Sequence, residues 1–208
     1  MVKLHFYNLI KTTVKITIKN LITRKKIFGT NSFLYYKISQ HIGFIFSREI
    51  LYENKLQSKI KNYINETSLI FDVGSNIGQY ALWFSNIASQ GKIVCFEPDS
   101  KNYAFLTFNV SINRCLNVET SNVGISNSIS RQKLYCDTQN GGRCSSLGKE
   151  FVGNSFEGFT QDINTSTLDL QIQKYGIPDF VKIDVEGFEY AVIEGLKSPP
   201  QKTVFLLK

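Results

Sequence analysis

The segment LIFDVGSNIGQY, residues 69–80, constrains the possible fold more than any other part of the chain. An apolar run is interrupted by Asp72, glycines follow at positions 74 and 78, and a helical pattern begins directly after them. This order predicts a strand, a tight turn and the first turn of a helix. Such a turn leaves backbone N–H groups and the positive end of a helix dipole facing a ligand with carboxylate or phosphate oxygens.

The spacing of the glycines narrows the class of ligand. A dinucleotide-binding fingerprint has three glycines, and the middle one lets the pyrophosphate touch the backbone. Here Gly74 and Gly78 are present but Asn76 takes the middle position, so we do not expect pyrophosphate binding. Asp72, just before the turn, is instead placed to meet the ammonium group of a ligand. S-adenosylmethionine, which joins an amino acid to a ribose and an adenine, carries such a group.

A second apolar run, KIVCF at residues 92–96, leads to Glu97 and Pro98. Glu97 follows Gly74 by 23 residues. In a βαβ unit this distance puts an acid at the end of the second strand, where its carboxylate can accept hydrogen bonds from both ribose hydroxyls. Proline then ends the strand. The alternative is that Asp72 and Glu97 are ordinary acids at strand ends, but their combination with the turn favours a cofactor site.

Four segments of the chain resemble those of the FkbM-type methyltransferases. They are FDVGSNIG at 71–78, VCFEP at 94–98, TSTLD at 165–169 and, most specific to the family, FVKIDVEGFE at 180–189. The resemblance implies an α/β domain with the Rossmann-like sheet of class I methyltransferases. It also implies S-adenosylmethionine-dependent transfer of a methyl group to a small-molecule acceptor, usually the hydroxyl oxygen of a sugar, polyketide or other secondary metabolite.

Periodicity predicts the alternation of strands and helices that this fold requires. The predicted strands cover 69–73, 92–97, 117–123 and 179–183, and the predicted helices cover 48–64, 77–89, 100–113 and 168–175.

Three polar residues outside the main motifs are further candidates for binding. Asn122, near the end of the third strand, could hydrogen-bond the adenine ring or could only form a turn. Between residues 124 and 165 the Asn140-Gly141-Gly142 turn signal predicts an inserted hairpin. Ser145 and Ser146 lie in this insertion and are candidates for substrate binding, or they belong to a flexible loop.

The fourth predicted strand leads to Asp184 beside the first strand, where open α/β sheets bind their ligands. Asp184 or Glu186 could be the catalytic base that removes the proton of an alcohol. With Glu189 they could instead bind a divalent cation that lowers the pKa of the hydroxyl. Glu186 and Glu189 could also only supply negative charge to the first turn of a helix. Lys182 could pair with Asp184 or Glu186, or it could contact the substrate.

The positive charge of the chain is concentrated before this domain. Residues 1–66 carry 12 Lys or Arg and three acids, a net charge of +9, whereas residues 67–208 have a net charge of −2. Lysines at 3, 11, 15 and 19 recur among apolar residues and predict an amphipathic helix within a basic, helical N-terminal extension. A solvated face is the simplest role for these lysines, and weak contact with an anionic membrane is the alternative.

Composition and hydropathy limit the number of domains and the location of the protein. The 208 residues, 42% of them hydrophobic, suffice for one methyltransferase domain at 67–208 with a buried core. No segment is both uninterruptedly apolar and about 18 residues long, so we expect neither a membrane span nor a secretory signal. The expectation is a cytoplasmic enzyme, with peripheral membrane association as the alternative.

The resemblance implies a seven-stranded sheet, but the chain ends at Lys208 inside the fifth strand. We therefore expect the last strands to be missing, either because the sequence is C-terminally truncated or because self-association through the open sheet edge completes it. Two other functions stay open. The basic N-terminus suggests a nucleic-acid methyltransferase, although Asp184-Val185-Glu186-Gly187 stands where a base-amine enzyme has an Asn- or Asp-Pro-Pro-aromatic motif. The second open function is that of a truncated, non-catalytic module that holds the cofactor.

Overall fold

The computed structural model describes residues 21–38, 49–137, 145–146 and 158–208. In chain order its elements are β1 (Ile22–Lys26), β2 (Phe33–Lys37), α1 (Glu49–Ile60) with a 3-10 turn (Lys61–Tyr63), β3 (Leu69–Val73), α2 (Gln79–Ile87), β4 (Lys92–Phe96), α3 (Ser100–Ile112), β5 (Val118–Ser121), β6 (Gly124–Ile125), β7 (Ser130–Asp137), β8 (Ser145–Ser146), β9 (Gly158–Ser166), α4 (Leu168–Tyr175), β10 (Phe180–Ile183), α5 (Glu189–Glu194) and β11 (Val204–Leu207).

The central sheet is parallel and has the strand order β11-β10-β3-β4-β5. The chain runs outward from β3 through β4 to β5, and then returns to the other side of β3 to form β10 and β11. The order therefore reverses between β3 and β10. Ligands of open α/β sheets bind at the carboxyl ends of the strands beside such a reversal. The Rossmann-like α/β fold predicted from the sequence is confirmed.

Both faces of this sheet are buried because helices cover each of them. Successive side chains of a strand point to opposite faces. Ile70 and Ile93 pack on the face that carries α1, α2, α3 and the N-terminal hairpin. Phe71 and Val94 pack on the other face, which α4 and α5 cover. The strands accordingly read as nearly continuous apolar runs, as is usual for a parallel sheet.

The N-terminal region corrects one prediction, because its described part is not wholly helical. β1 and β2 form an antiparallel hairpin in which Lys26 pairs with Phe33, so the predicted amphipathic helix does not extend through residues 22–26. Leu34 and Tyr36 enter the main core, and this alternation is the period of a strand. The helix predicted at 48–64 is present as α1 and its 3-10 turn. The lysines at 3 to 19 lie outside the described residues.

A smaller sheet with the order β6-β9-β7-β8 lies next to the central one. β7 and β9 are antiparallel over their whole length, from Ser130 opposite Thr165 to Asp137 opposite Gly158. The hairpin predicted between residues 124 and 165 is therefore present. Its predicted Asn140-Gly141-Gly142 turn lies outside the described residues.

The outermost strand of the central sheet, β11, pairs with β10 alone among the described residues. Within that part of the chain no strand continues the sheet beyond Val204–Leu207. A search of the same residues for a helix long and apolar enough to cross a bilayer finds none.

Candidate functional site

The turn between β3 and α2 uses its backbone N–H groups internally. Those of Gly74 and Ser75 both donate to the carbonyl oxygen of Phe96, at 3.0 and 3.1 Å. The N–H of Asn76 donates to Glu97 Oε2 at 2.8 Å. The N–H of Ile77 donates to the side-chain oxygen of Asn76, and the N–H of Gly78 donates to the carbonyl of Ser75. The predicted row of outward-facing donors for an anionic ligand is therefore wrong for residues 74–78.

The two glycines of the turn serve close packing. A Cβ at Gly74 would overlap the backbone oxygen of Asp184, so glycine lets the end of β3 approach the residue after β10. Gly78 has φ +95°, and a Cβ there would lie 2.9 Å from the side chain of Leu106 in α3. Asn76 has φ +50°, a left-handed conformation that asparagine tolerates better than most residues. Neither glycine donates an N–H that is free for a ligand.

Glu97 is the central acid of the site, and it is only 5% exposed. One carboxylate oxygen accepts the N–H of Asn76 and the other accepts the N–H of Asp99 at 3.0 Å. Burial raises the pKa of Glu97 to about 8, because the hydrogen bonds from Asp99, Asn76 and the Asn102 side chain offset only part of the lost hydration. Because the hydration of this buried carboxyl is only partly replaced, further hydrogen-bond donors would stabilise its charged form.

An open cavity lies at the carboxyl ends of β3, β4 and β10, with a volume of about 690 Å³ when the solvent at its mouth is included. Its described lining contains three acids and no Lys or Arg. The lining residues are Val73, Gly74, Asn76, Phe96, Glu97, Pro98, Asn102, Gly124, Ile125, Leu134, Asp184, Val185, Glu186 and Phe188. The cavity thus joins the predicted cofactor residues Gly74, Asn76 and Glu97 to the predicted catalytic residues Asp184 and Glu186.

Asp72 lies outside this cavity, which corrects its predicted contact with a ligand. Its side chain is fully buried, and Oδ1 lies 3.2 Å from Nζ of Lys182. Its second oxygen, Oδ2, has no hydrogen-bond partner among the described residues. The reason is the alternation of β3: Val73 points toward the cavity, so Asp72 points to the opposite face.

Lys182 is likewise inaccessible to a substrate, because its side chain is 2% exposed. Nζ lies between Asp72 and Asp184, 3.3 Å from Oδ2 of the latter, and 4.9 Å from the centre of the Tyr80 ring. Burial by itself lowers the pKa of Lys182, but attraction and hydrogen bonds from Asp72 and Asp184 outweigh it, so that the pKa lies above its usual value. The predicted alternatives for Lys182 were pairing with an acid and contact with the substrate, and this geometry favours pairing with Asp184.

The acids that follow β10 have different surroundings. Asp184 is 26% exposed and also lies 3.4 Å from Nζ of Lys208. Glu186 is exposed and has φ +47°. Glu189 accepts the N–H of Gly187 at 3.2 Å, which fits an acid in the first turn of α5. No group of three or more metal-ligating side chains is found in the described part of the chain, so the predicted divalent-cation site has no support there.

Asn122 contacts the turn after β4, and for the two serines the structure describes the strand pairing. The amide of Asn122 donates to the carbonyls of Glu97 and Pro98 at 2.7 and 3.0 Å, so it ties the turn after β4 to β5. This geometry favours the turn alternative over a contact with adenine. Ser145 and Ser146 form β8 and pair with Cys136 and Tyr135 of β7. Their role in substrate binding stays a prediction.

Sequence reasoning missed two residues that shape the site. Asp99 accepts the N–H groups of Lys101 and Asn102 and caps α3. Asn102 lines the cavity and hydrogen-bonds Glu97. The sequence contained a signal for Asp99, since an Asp directly before a helical pattern predicts an N-cap. No local signal distinguishes Asn102, because its role depends on how α3 packs against the turn after β4 that holds Glu97.

The strand order and the cavity at its reversal define a Rossmann-like α/β fold, the fold type of class I methyltransferases. The profile of the methyltransferase FkbM domain matches residues 72–204, well over half of the chain, and the chain therefore belongs to the FkbM methyltransferase family. Over 159 residues it is 28% identical to methyltransferase sdnD of Sordaria araneosa. That match covers 61% of this chain and 60% of the relative's length.

Two solved structures are similar to part of this chain. Precorrin-6y C5,15-methyltransferase from Geobacter metallireducens GS-15 is 11% identical, with a TM-score of 0.45 over 74% of this chain and 61% of that chain. M. jannaschii TYW2 in complex with AdoMet is 16% identical, with a TM-score of 0.41 over 52% of this chain and 48% of that chain. The superpositions are partial, so the fold class rests on the strand order.

Proposed function

We propose that this chain binds S-adenosylmethionine in the cavity and transfers its methyl group to a hydroxyl oxygen of a small molecule, such as a sugar or secondary metabolite. The observation that carries the proposal is the set of carboxyl groups that line the cavity. Its described lining holds Glu97, Asp184 and Glu186 but no Lys or Arg. Such a lining offers hydrogen-bond acceptors to the ribose hydroxyls and the ammonium group of S-adenosylmethionine and places no cation near its sulfonium. It disfavours the pyrophosphate of a dinucleotide, for which residues 74–78 also offer no free N–H group.

Glu97 is the residue that fits a ribose diol. Its two carboxyl oxygens have about four acceptor positions, and two backbone N–H groups and the Asn102 side chain use three of them. A ribose hydroxyl of the ligand would complete the hydrogen bonding of an acid whose pKa burial raises to about 8. The apolar side chains of Pro98, Ile125 and Leu134 lie in the same lining and suit the flat face of a base.

Asp184 is the residue best placed to handle the proton of the acceptor. The bound cofactor supplies a methyl group on a positively charged sulfur. Asp184 would accept the proton of the acceptor hydroxyl when its oxygen receives the methyl group, and the sulfur would keep the electron pair of the carbon–sulfur bond. Lys182 holds the Asp184 carboxylate at the strand end through the 3.3 Å ion pair. Glu186 is the second candidate for this base, since it lines the same cavity.

Calorimetric titration with S-adenosylmethionine tests the proposal directly. We expect binding by the full chain, and a tenfold to hundredfold loss of affinity, about 1–3 kcal/mol, for Glu97→Ala, because the ribose diol loses its acceptor. NADH should not bind. Glu119→Ala is the matched control, since Glu119 lies on the neighbouring strand, pairs with Lys92 and is absent from the cavity lining.

The same titration separates the alternatives. Unchanged affinity in Glu97→Ala, with a folded variant, would contradict the assignment of the ribose acid. Binding without turnover on a broad panel of sugars and hydroxylated metabolites would favour a non-catalytic module. Salt-dependent methylation of RNA would favour a nucleic-acid methyltransferase.

A further inference from the structure

The outer face of the β1–β2 hairpin combines cations with aromatic rings. The guanidinium of Arg24 lies 4.5 Å from the centre of the Phe33 ring and 5.9 Å from that of Tyr35, and it donates to the Tyr35 hydroxyl at 3.1 Å. Lys26 shares this face, because it stands two residues from Arg24 on the same strand. The ring of Tyr35 then contacts Phe108 of α3 edge-on, at 5.6 Å. The hairpin and the outer side of α3 therefore form one continuous surface.

Large apolar side chains are exposed along this surface. Phe28 at the tip of the hairpin is 58% exposed, Ile22 at its start is 52% exposed, and Leu116 just beyond α3 is 97% exposed. Phe108 and Ile112 stand four residues apart and share a side of the helix. A single exposed apolar side chain is ordinary, but five on two adjoining elements are a patch that indicates an interaction.

The two segments that form the patch contain no acid. Residues 21–38 contain Arg24, Lys25, Lys26 and Lys37 and neither Asp nor Glu. Residues 100–118 contain Lys101 and Arg114, again without an acid. We refer to the outer face of the hairpin together with Phe108, Ile112 and Leu116 as the hairpin surface. Its positive charge requires a partner that is negative, and its aliphatic side chains require one that is also apolar.

We propose that the hairpin surface docks on an anionic lipid bilayer. Basic side chains attract anionic headgroups, while Ile22, Phe28 and Leu116 can enter the boundary between headgroups and acyl chains. Arginine and tyrosine, which carry an apolar body and a polar tip, suit the same boundary. The segment 1–20 is an unsuitable occupant, because it is basic and acid-free like the surface itself. RNA would use the cations and rings but leave the aliphatic side chains exposed to water.

Co-sedimentation of the full chain with vesicles tests this proposal. The probes are vesicles of phosphatidylcholine alone and of equal parts phosphatidylcholine and phosphatidylglycerol. We expect binding to the anionic vesicles at least about tenfold tighter than to the neutral ones, and weakening as NaCl rises, because salt screens the attraction. Equal binding to both vesicles, or no binding to either, would overturn the proposal.

Two double variants separate the charge from the apolar contribution. Arg24→Glu with Lys26→Glu should reduce binding to anionic vesicles by at least about tenfold, and Phe28→Ser with Leu116→Ser by a similar factor. The matched controls are Lys197→Glu with Lys202→Glu and Ile129→Ser with Ile177→Ser, which change exposed residues outside the hairpin surface. The controls should bind like the parent.

Thermal unfolding shows whether a variant loses vesicle binding because its surface has changed or because it has unfolded. Because Phe28 and Leu116 are more than half exposed, their replacement should leave the melting temperature nearly unchanged, and this variant keeps the test valid if the Arg24 variant unfolds. Hairpin variants that bind vesicles like the controls would overturn the proposal. So would variants that lose binding to a mixed-sequence RNA but keep vesicle binding, since the surface would then be a nucleic-acid site.

Discussion

Lys182 links two carboxylates at the end of the cavity where the proposed base, Asp184, lies. It is a cation buried in a parallel strand between two carboxylates, Asp72 at 3.2 Å and Asp184 at 3.3 Å. Removing one partner from such a group leaves an uncompensated buried charge, which typically costs about 3–5 kcal/mol. The network therefore connects the acid of the first strand to the acid that faces the cavity, and it restrains Asp184 without occupying the cavity itself.

Asp184→Asn is the most direct test of the proposed base. The change keeps the shape of the side chain and removes its charge, so we expect turnover to fall by about a hundredfold or more while cofactor affinity stays within a few fold. The measurement is methyl transfer from labelled S-adenosylmethionine to any hydroxyl acceptor that supports activity. Asp162→Asn is the control, because Asp162 forms surface ion pairs with Arg131 and Lys133. An Asp184→Asn protein that turns over like the parent would assign Asp184 to the scaffold.

At the scale of elements, two asparagines of α3 attach the N-terminal hairpin to the domain. Asn109 accepts the N–H of Tyr35 and donates to its carbonyl, at 2.8 and 2.9 Å. Asn113 does the same for Phe33, with both bonds at 2.8 Å. Four residues of a helix rise about 6 Å and two residues of a strand about 6.8 Å, so the two amides match the spacing of alternate strand residues. They extend the hairpin as a third strand would.

This attachment predicts a measurable loss of stability. Asn109→Ala should lower the free energy of unfolding by about 1–3 kcal/mol, because the N–H and carbonyl of Tyr35 lose a buried partner. Urea unfolding at equilibrium measures the change. Asn127→Ala, which removes an exposed amide bonded to Glu194, should stay within about 0.5 kcal/mol of the parent. If the two variants were equally stable, the amide contacts would not hold the hairpin.

At the scale of the whole molecule, the topology places an acid, Glu97, where it is largely shielded from water. Glu97 ends up at the carboxyl edge because β4 is parallel to β3, and the packed turn, Asp99 and Asn102 then enclose it. Burial raises the pKa of Glu97 from 4.5 to about 8. Between these values the folded chain holds a proton that the unfolded chain has lost. The folded state is therefore favoured at the acidic end of this range.

The resulting pH dependence can be measured without a ligand. As pH rises from about 5 to 8, Glu97 should reduce the free energy of unfolding by up to about 1.4 kcal/mol per pH unit, with the loss ending above the folded pKa. Other groups also titrate, so the measured quantity is the difference between the parent and Glu97→Gln in urea unfolding at several pH values. Parallel curves for the two proteins would show that the carboxyl of Glu97 has an ordinary pKa.

Much of the fold follows from local patterns. The bounds of β3, β4 and β10 are close to those predicted, because each is a short apolar run that ends at an acid, a glycine or a proline. Parallel strands bring their carboxyl ends to one edge, so Glu97 and Asp184 could be placed in one site from the sequence. The family motif at 180–189 identified the class of protein for the same local reason.

The tertiary structure alone decided which way the polar side chains of the strands point and which groups pair with them. Both faces of a parallel sheet are buried, so alternation cannot tell whether Asp72 and Lys182 face the cavity or the opposite core, and they face away from it. The N–H groups of Gly74, Ser75 and Asn76 donate to residues at the end of β4, a contact between neighbouring strands. The hairpin depends on Asn109 and Asn113, more than 70 residues away in sequence. Local sequence records the conformational preferences of a segment, whereas such distant partners are chosen only when the chain folds.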